Sequence, residues 1–144
     1  MSIPARVSVV TLGVADVQRA TDFYRALGWP LSPASVPGVV SFFRTAGGVL
    51  ALYGHRDLAA DAAVAADEPP AFRGVTLAVN LDSRAAVDAA LAAAVAAGAR
   101  LVNAARPTEW GGYLGYFADP DGHVWEVVHN PDWPLNEAGL PVLP

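Results

Sequence analysis

Residues 10–14 read Val10-Thr11-Leu12-Gly13-Val14, and residues 75–79 read Val75-Thr76-Leu77-Ala78-Val79. Each string alternates apolar with small or weakly polar residues, the period of a strand with two unlike faces. Each leads into a helical pattern that closes at a glycine, Gly28 in one case and Gly98 in the other. The strings stand 65 residues apart. An internal repeat of this kind predicts two copies of one supersecondary unit.

Working outward, Asp16 is placed to cap a first helix. Ala20, Phe23, Tyr24 and Leu27 fall on one face of it. Ser83 opens a second helix, with Val87, Leu91 and Val95 as its apolar stripe. Short β-rich runs follow each helix: 31–36, 39–44 and 49–53 in the first half, then 100–104, 113–118 and 124–129 in the second. Pro37-Gly38, Gly47-Gly48 and Asp119-Pro120-Asp121-Gly122 supply the turns. Each half therefore reads strand, helix and three further strands. The expected organisation is an α+β fold with a first module over 1–54, a connector over 55–72 with one helical turn, and a second module over 73–130. A tail over 131–144 carries four prolines and reads as extended, lying on the body or on a partner chain.

The chain has 144 residues, of which 53% are hydrophobic and 16% charged, a composition that folds. Its apolar stretches are broken well before about 18 residues, so no membrane-spanning helix is expected. No basic segment leads into an apolar core near residue 1, so no export signal is expected and the cytoplasm is the default. There is no cysteine, which removes disulfides, thiolate nucleophiles and cysteine metal sites. All nine basic residues are arginine, which excludes Schiff-base lysine chemistry and a P-loop. The arginines are scattered, so nucleic acid is not an expected partner. A net charge of −5 suits a neutral or cationic small ligand, and equally a soluble surface.

On the two repeated strands the apolar face should take the helices. The opposite face carries Thr11 and Gly13 in one copy and Thr76 and Ala78 in the other. A curved sheet with small residues inside makes a cup able to hold a ligand. The last strand breaks its apolar pattern at Glu126, which shares a face with Val124 and Val128. A carboxylate there must be solvated, paired or bound to a cation.

Leu12-Gly13-Val14-Ala15-Asp16, leading to Phe23-Tyr24 and Leu27-Gly28-Trp29, forms one motif. Tyr116-Phe117-Ala118-Asp119-Pro120-Asp121-Gly122-His123-Val124-Trp125-Glu126 forms another. Together they resemble the vicinal oxygen chelate superfamily of glyoxalases, bleomycin resistance proteins and ring-cleaving dioxygenases, over nearly all of residues 6–130. The resemblance implies paired βαβββ modules in a half-open, cup-shaped mixed sheet with helices outside, in a protein that is usually a dimer. It also implies a divalent ion held by His or Gln and Glu side chains from the first and last strands of each module, acting as a Lewis acid on vicinal oxygens. Carried onto this sequence, the four ligand positions fall on Val9, Ala51, Gly74 and Glu126. Only Glu126 has a ligand-type side chain, and one carboxylate does not make a transition-metal site. A divalent metal is therefore disfavoured, though a metal-assisted enzyme stays among the alternatives, and no other cofactor is expected.

The remaining candidates are few. Tyr53, Trp110 and Tyr116, with Phe43, are aromatics able to line a cup and stack on a planar or cationic ligand. Together with Thr11, Ala51, Thr76 and Glu126 they make the expected ligand-binding set. Glu126 is the one candidate catalytic residue, as a general base with a Tyr, Thr or Arg partner. His123 reads as a turn residue, His129 lies on the face opposite Glu126, and His55 reads as exposed. Two functions follow. One is a metal-free small-molecule binding protein. The other is a lyase, isomerase or dioxygenase of the same superfamily.

Overall fold

The computed structural model describes residues 2–144. Among the described residues, seven strands and three helices divide into two compact units, the first ending at Ala66 and the second spanning Asp67–Pro144. The first unit holds β1 (Val9–Val14), α1 (Val17–Ala26), β2 (Val40–Thr45), β3 (Gly48–Gly54) and α2 (His55–Ala62). The second holds β4 (Thr76–Asn80), α3 (Arg84–Ala96), β5 (Arg100–Pro107), β6 (Tyr113–Ala118) and β7 (Val124–His129). The fold is α+β, as expected. No helix among the described residues is long and apolar enough to cross a membrane.

In the first unit the sheet order is β1-β3-β2, with β1 parallel and β2 antiparallel to β3. Asp16 caps α1 by accepting from the backbone N–H of Arg19 at 3.0 Å. Phe23 and Tyr24 meet edge to face at 5.0 Å, and Tyr24 also packs on Phe43 at 5.9 Å. Leu12, Val14, Leu50 and Leu52 complete the core between helix and sheet. The buried hydroxyls of Thr21 and Ser41 lie 2.7 Å apart. Thr21 gives its proton to the Val17 carbonyl at 2.6 Å, so Ser41 is the donor of that pair.

Three elements of this unit depart from the sequence reading. The strand expected over 31–36 shrinks to single bridges, Leu31 with Phe43 and Val36 with Val40. Pro33 removes an amide donor inside this stretch, and Pro30 and Pro37 bound it on either side. The stretch read as a connector with one turn begins with an eight-residue helix, α2, packed on β1 and β3. Phe43, expected at a cup mouth, is fully buried beneath α1 instead.

In the second unit the order is β4-β7-β6-β5, with β4 parallel to β7 and the other pairs antiparallel. Ser83 caps α3 through Ala86 N–H at 3.1 Å. The helix buries Val87, Leu91 and Ala94, while Val95 is 47% exposed. The true stripe follows the 3.6-residue period and turns away from Val95. Phe117 and Trp125 stack at 6.2 Å and are core residues. The tail is not extended. Leu135 bridges Pro141, and Asn136 accepts from Ala138 N–H and Leu140 N–H, so residues 134–142 form a small closed hairpin.

Candidate functional site

The register of the second sheet fixes what surrounds Glu126. Ala78 on β4 stands on one side and Tyr116 on β6 on the other. Cross-strand partners share a face, so Thr76, Ala78, Val124, Glu126, Val128 and Tyr116 line the face turned away from α3. Glu126 is half-buried, with the small side chain of Ala78 as its β4 neighbour. The Tyr116 hydroxyl donates to Glu126 Oε2 at 2.9 Å. Burial pushes the Tyr116 phenol above its usual range, and the bond to the carboxylate and its charge push the same way. Arg106, near the end of β5, opposes them. The result is a phenol held protonated beside a carboxylate on a small-residue surface.

The first sheet has a matching face. Ala51 lies between Thr11 on β1 and Phe42 on β2, and Tyr53 lies between Gly13 and Val40. Ala51 is only 2% exposed, and Thr11 is exposed at the sheet edge. Gly13 also has a task that its place on a small-residue face did not reveal. A Cβ there would meet His55 Nδ1 at 3.2 Å and the His55 Cα at 3.3 Å. The glycine lets the start of α2 close over β1. His55 is consequently half-buried, not exposed.

The structure thus pairs Tyr116 with Glu126 and sets Thr11 beside Ala51. Thr76 lies on the Glu126 face, opposite Val124. Trp110 stands in the β5–β6 loop, 51% exposed, with its ring folded against Gly112. That loop leaves the sheet at Tyr113, three residues from Tyr116. His129 Nδ1 is bonded to the Leu81 carbonyl at 2.9 Å, and His123 Nδ1 accepts from Arg73 at 3.0 Å. Both are local structural roles. Arg106 was not foreseen, and Ala78, expected on the small-residue face, was not foreseen as the neighbour of Glu126. Their facing depends on strand register, and β5 carries two register shifts that break simple alternation.

The family's ion positions can now be placed. Val9 opens β1 opposite Val49, and Ala51 lies at the centre of β3. Gly74 was read as a first-strand position, but it precedes β4 in a turn with φ of +75°. The β4 residue actually facing Glu126 is Ala78. None of Val9, Ala51, Gly74 or Ala78 offers a donor side chain. Among the described residues no three His, Asp or Glu side chains converge to hold an ion. The residues present do not fit the superfamily's ion.

A mixed sheet with an outer helix, built twice over in related form and carrying a carboxylate on the free face of the second copy, defines the class of glyoxalase-fold proteins. The sequence model of the Glyoxalase/Bleomycin resistance protein/Dioxygenase superfamily matches residues 6–127, and the chain belongs to that superfamily. A solved structure described as a glyoxalase-related enzyme from Fulvimarina pelagi is 34% identical, with a TM-score of 0.85 over 97% of this chain and 99% of its own. A glyoxalase/bleomycin resistance protein/dioxygenase from Nocardioides is 29% identical, with a TM-score of 0.74 over 90% of this chain and 85% of its own. A lactoylglutathione lyase from Agrobacterium tumefaciens, 24% identical with a TM-score of 0.70 over 93% of this chain and 100% of its own, shares the fold. No curated protein matches the chain significantly.

Proposed function

We propose that this chain is a small-molecule binding protein of the superfamily that has given up most of the family's ion ligands. Its ligand is a small aromatic or cationic molecule held against the Glu126 face, and the working form is a cytoplasmic homodimer. One observation carries this reading: Glu126 is occupied by the Tyr116 hydroxyl at 2.9 Å and flanked by Ala78 rather than by a second ligand side chain. A carboxylate so placed accepts a ligand N–H or balances a ligand cation, while Thr76 and Trp110 of the same unit supply lesser contacts.

A second reading is favoured by the same pair. In it the chain is an enzyme, and Glu126 takes a proton from the substrate as a general base. The Tyr116 phenol, kept protonated, then donates to the oxygen on which charge develops. The description of the Fulvimarina pelagi relative as a glyoxalase-related enzyme supports it.

Elemental analysis of untagged protein, offered Mn, Fe, Co, Ni and Zn separately, tests the first reading. The expected ratio of bound ion per chain is near zero for all five. A ratio near one that falls in Glu126→Gln would overturn it. Turnover of lyase, isomerase or dioxygenase substrates that is lost in Glu126→Gln would establish the second reading. Ligand affinity merely retuned by that substitution, with no turnover, would support the first.

A further inference from the structure

The closed tail hairpin builds one wall of a cavity of about 490 Å³ in the second unit, away from the Glu126 face. Leu81 and Asp82, which lead into α3, and His129 at the end of β7 line it as well. Trp133, Leu135 and Glu137 project from the tail. The volume lies within the range of small-molecule sites, roughly 300–1,000 Å³. We propose that this cavity is a second binding site, specific for a small organic cation such as a primary alkylammonium or a guanidinium.

The wall is pre-formed. Trp133 N–H donates to the Asn130 carbonyl at 3.1 Å, and Val142 N–H to that of Pro134 at 2.8 Å. Asn136 Oδ1 holds the hairpin loop through two backbone amides at 2.9 and 3.0 Å. Prolines at 131 and 134 stiffen the approach to it. A ligand entering the cavity therefore does not have to order the tail.

The chemistry of the lining selects the charge. Its two charged side chains, Asp82 and Glu137, are both acidic, and none of the nine arginines contributes. His129 adds an acceptor. A carbonyl can only accept, so Nδ1 must carry the proton in its 2.9 Å bond to Leu81, which in the neutral form of the ring places the lone pair on Nε2. Trp133, 36% exposed, adds an indole to the lining, the best of the aromatic groups for a cation. Leu81 and Leu135 receive an alkyl body. Acceptors, negative charge and a π-face together fit a cation with N–H donors. An anion would meet two carboxylates.

This site and the Glu126 face are separate, because His129 and Glu126 lie on opposite faces of β7. Titration of the full chain with n-butylammonium chloride at constant ionic strength, followed by NMR, tests the proposal. The expected result is a saturable shift of the Trp133 indole N–H, assigned through Trp133→Phe. Asp82→Asn and Glu137→Gln should each weaken binding about threefold, and n-butanol should not bind. The shift should persist in Glu126→Gln. No saturable shift, equal binding of butanol, or binding unchanged in the Asp82→Asn, Glu137→Gln double variant would overturn the proposal. So would capture of an arginine-containing peptide with none of butylammonium, which would make the cavity a protein-docking site.

Discussion

At the scale of single residues, the Tyr116–Glu126 pair has a consequence that can be read directly. The phenol titrates above its usual range chiefly because it is buried, and secondarily because it donates to the carboxylate. A phenol whose folded pKa is raised above the unfolded value adds stability that is fully present below the unfolded value of about 10. That contribution is lost as pH rises through the folded value. The pair is therefore intact at neutral pH and lost only in strong alkali. Ultraviolet titration of the tyrosines should show late-ionising phenols, Tyr113 among them because it donates to Asp88 at 2.7 Å. Glu126→Gln should move one of these back toward the ordinary range, since the negative charge is removed and the hydrogen bond is left with a weaker, neutral amide acceptor. A titration curve identical to wild type would mean that the two side chains do not meet in solution.

At the scale of elements, two glycines show how closely the helices approach the sheets. Gly115 on β6 sits under Leu91 of α3, and a Cβ there would lie 2.6 Å from Leu91 Cδ1, 2.9 Å from Ala105 N and 3.0 Å from Asn103 O. Two of those neighbours are backbone and cannot rotate away. Gly115→Ala should therefore destabilise the fold by about 1–3 kcal/mol, the usual cost of overpacking. Gly13→Ala meets His55 at 3.2 and 3.3 Å, where a few tenths of an ångström of relaxation suffice, and should cost less. Chemical denaturation of both variants checks the ranking, and a larger loss for Gly13→Ala would contradict it. The sequence did not expose either contact. It placed Gly13 on a small-residue face, which is correct, but the reason for that size lay in α2, within a stretch rich in alanine and aspartate that read as a connector.

At the scale of the whole molecule, the repeat of Val10–Val14 at Val75–Val79 was enough to read the fold class, because strand alternation and helix caps are local signals. Asp16 and Ser83 both cap as expected. The position of Glu126 on its face was legible for the same reason. Its partners were not, since register is a property of two strands and the offset of 65 residues pointed to Gly74 rather than Ala78. Apolar exposure is also decided at this scale. Phe72 and Val75 are 60% and 62% exposed, and Val7, Val9, Leu101 and Val102 are exposed as well. Leu101 and Val102 belong to β5, which is a sheet edge of eight residues. Open edges and exposed apolar side chains are what a protein–protein interface covers. Under the homodimer reading, sedimentation at micromolar concentration should give about twice the 14.9 kDa chain mass. Val75 immediately precedes β4 and Leu101 lies on β5, so the substitutions Val75→Arg and Leu101→Arg probe different exposed positions, and at least one of them should shift the equilibrium toward monomer while leaving the circular dichroism unchanged. A chain that sediments as a monomer throughout would remove the homodimer from the proposed function, and the exposed apolar residues would then need another partner.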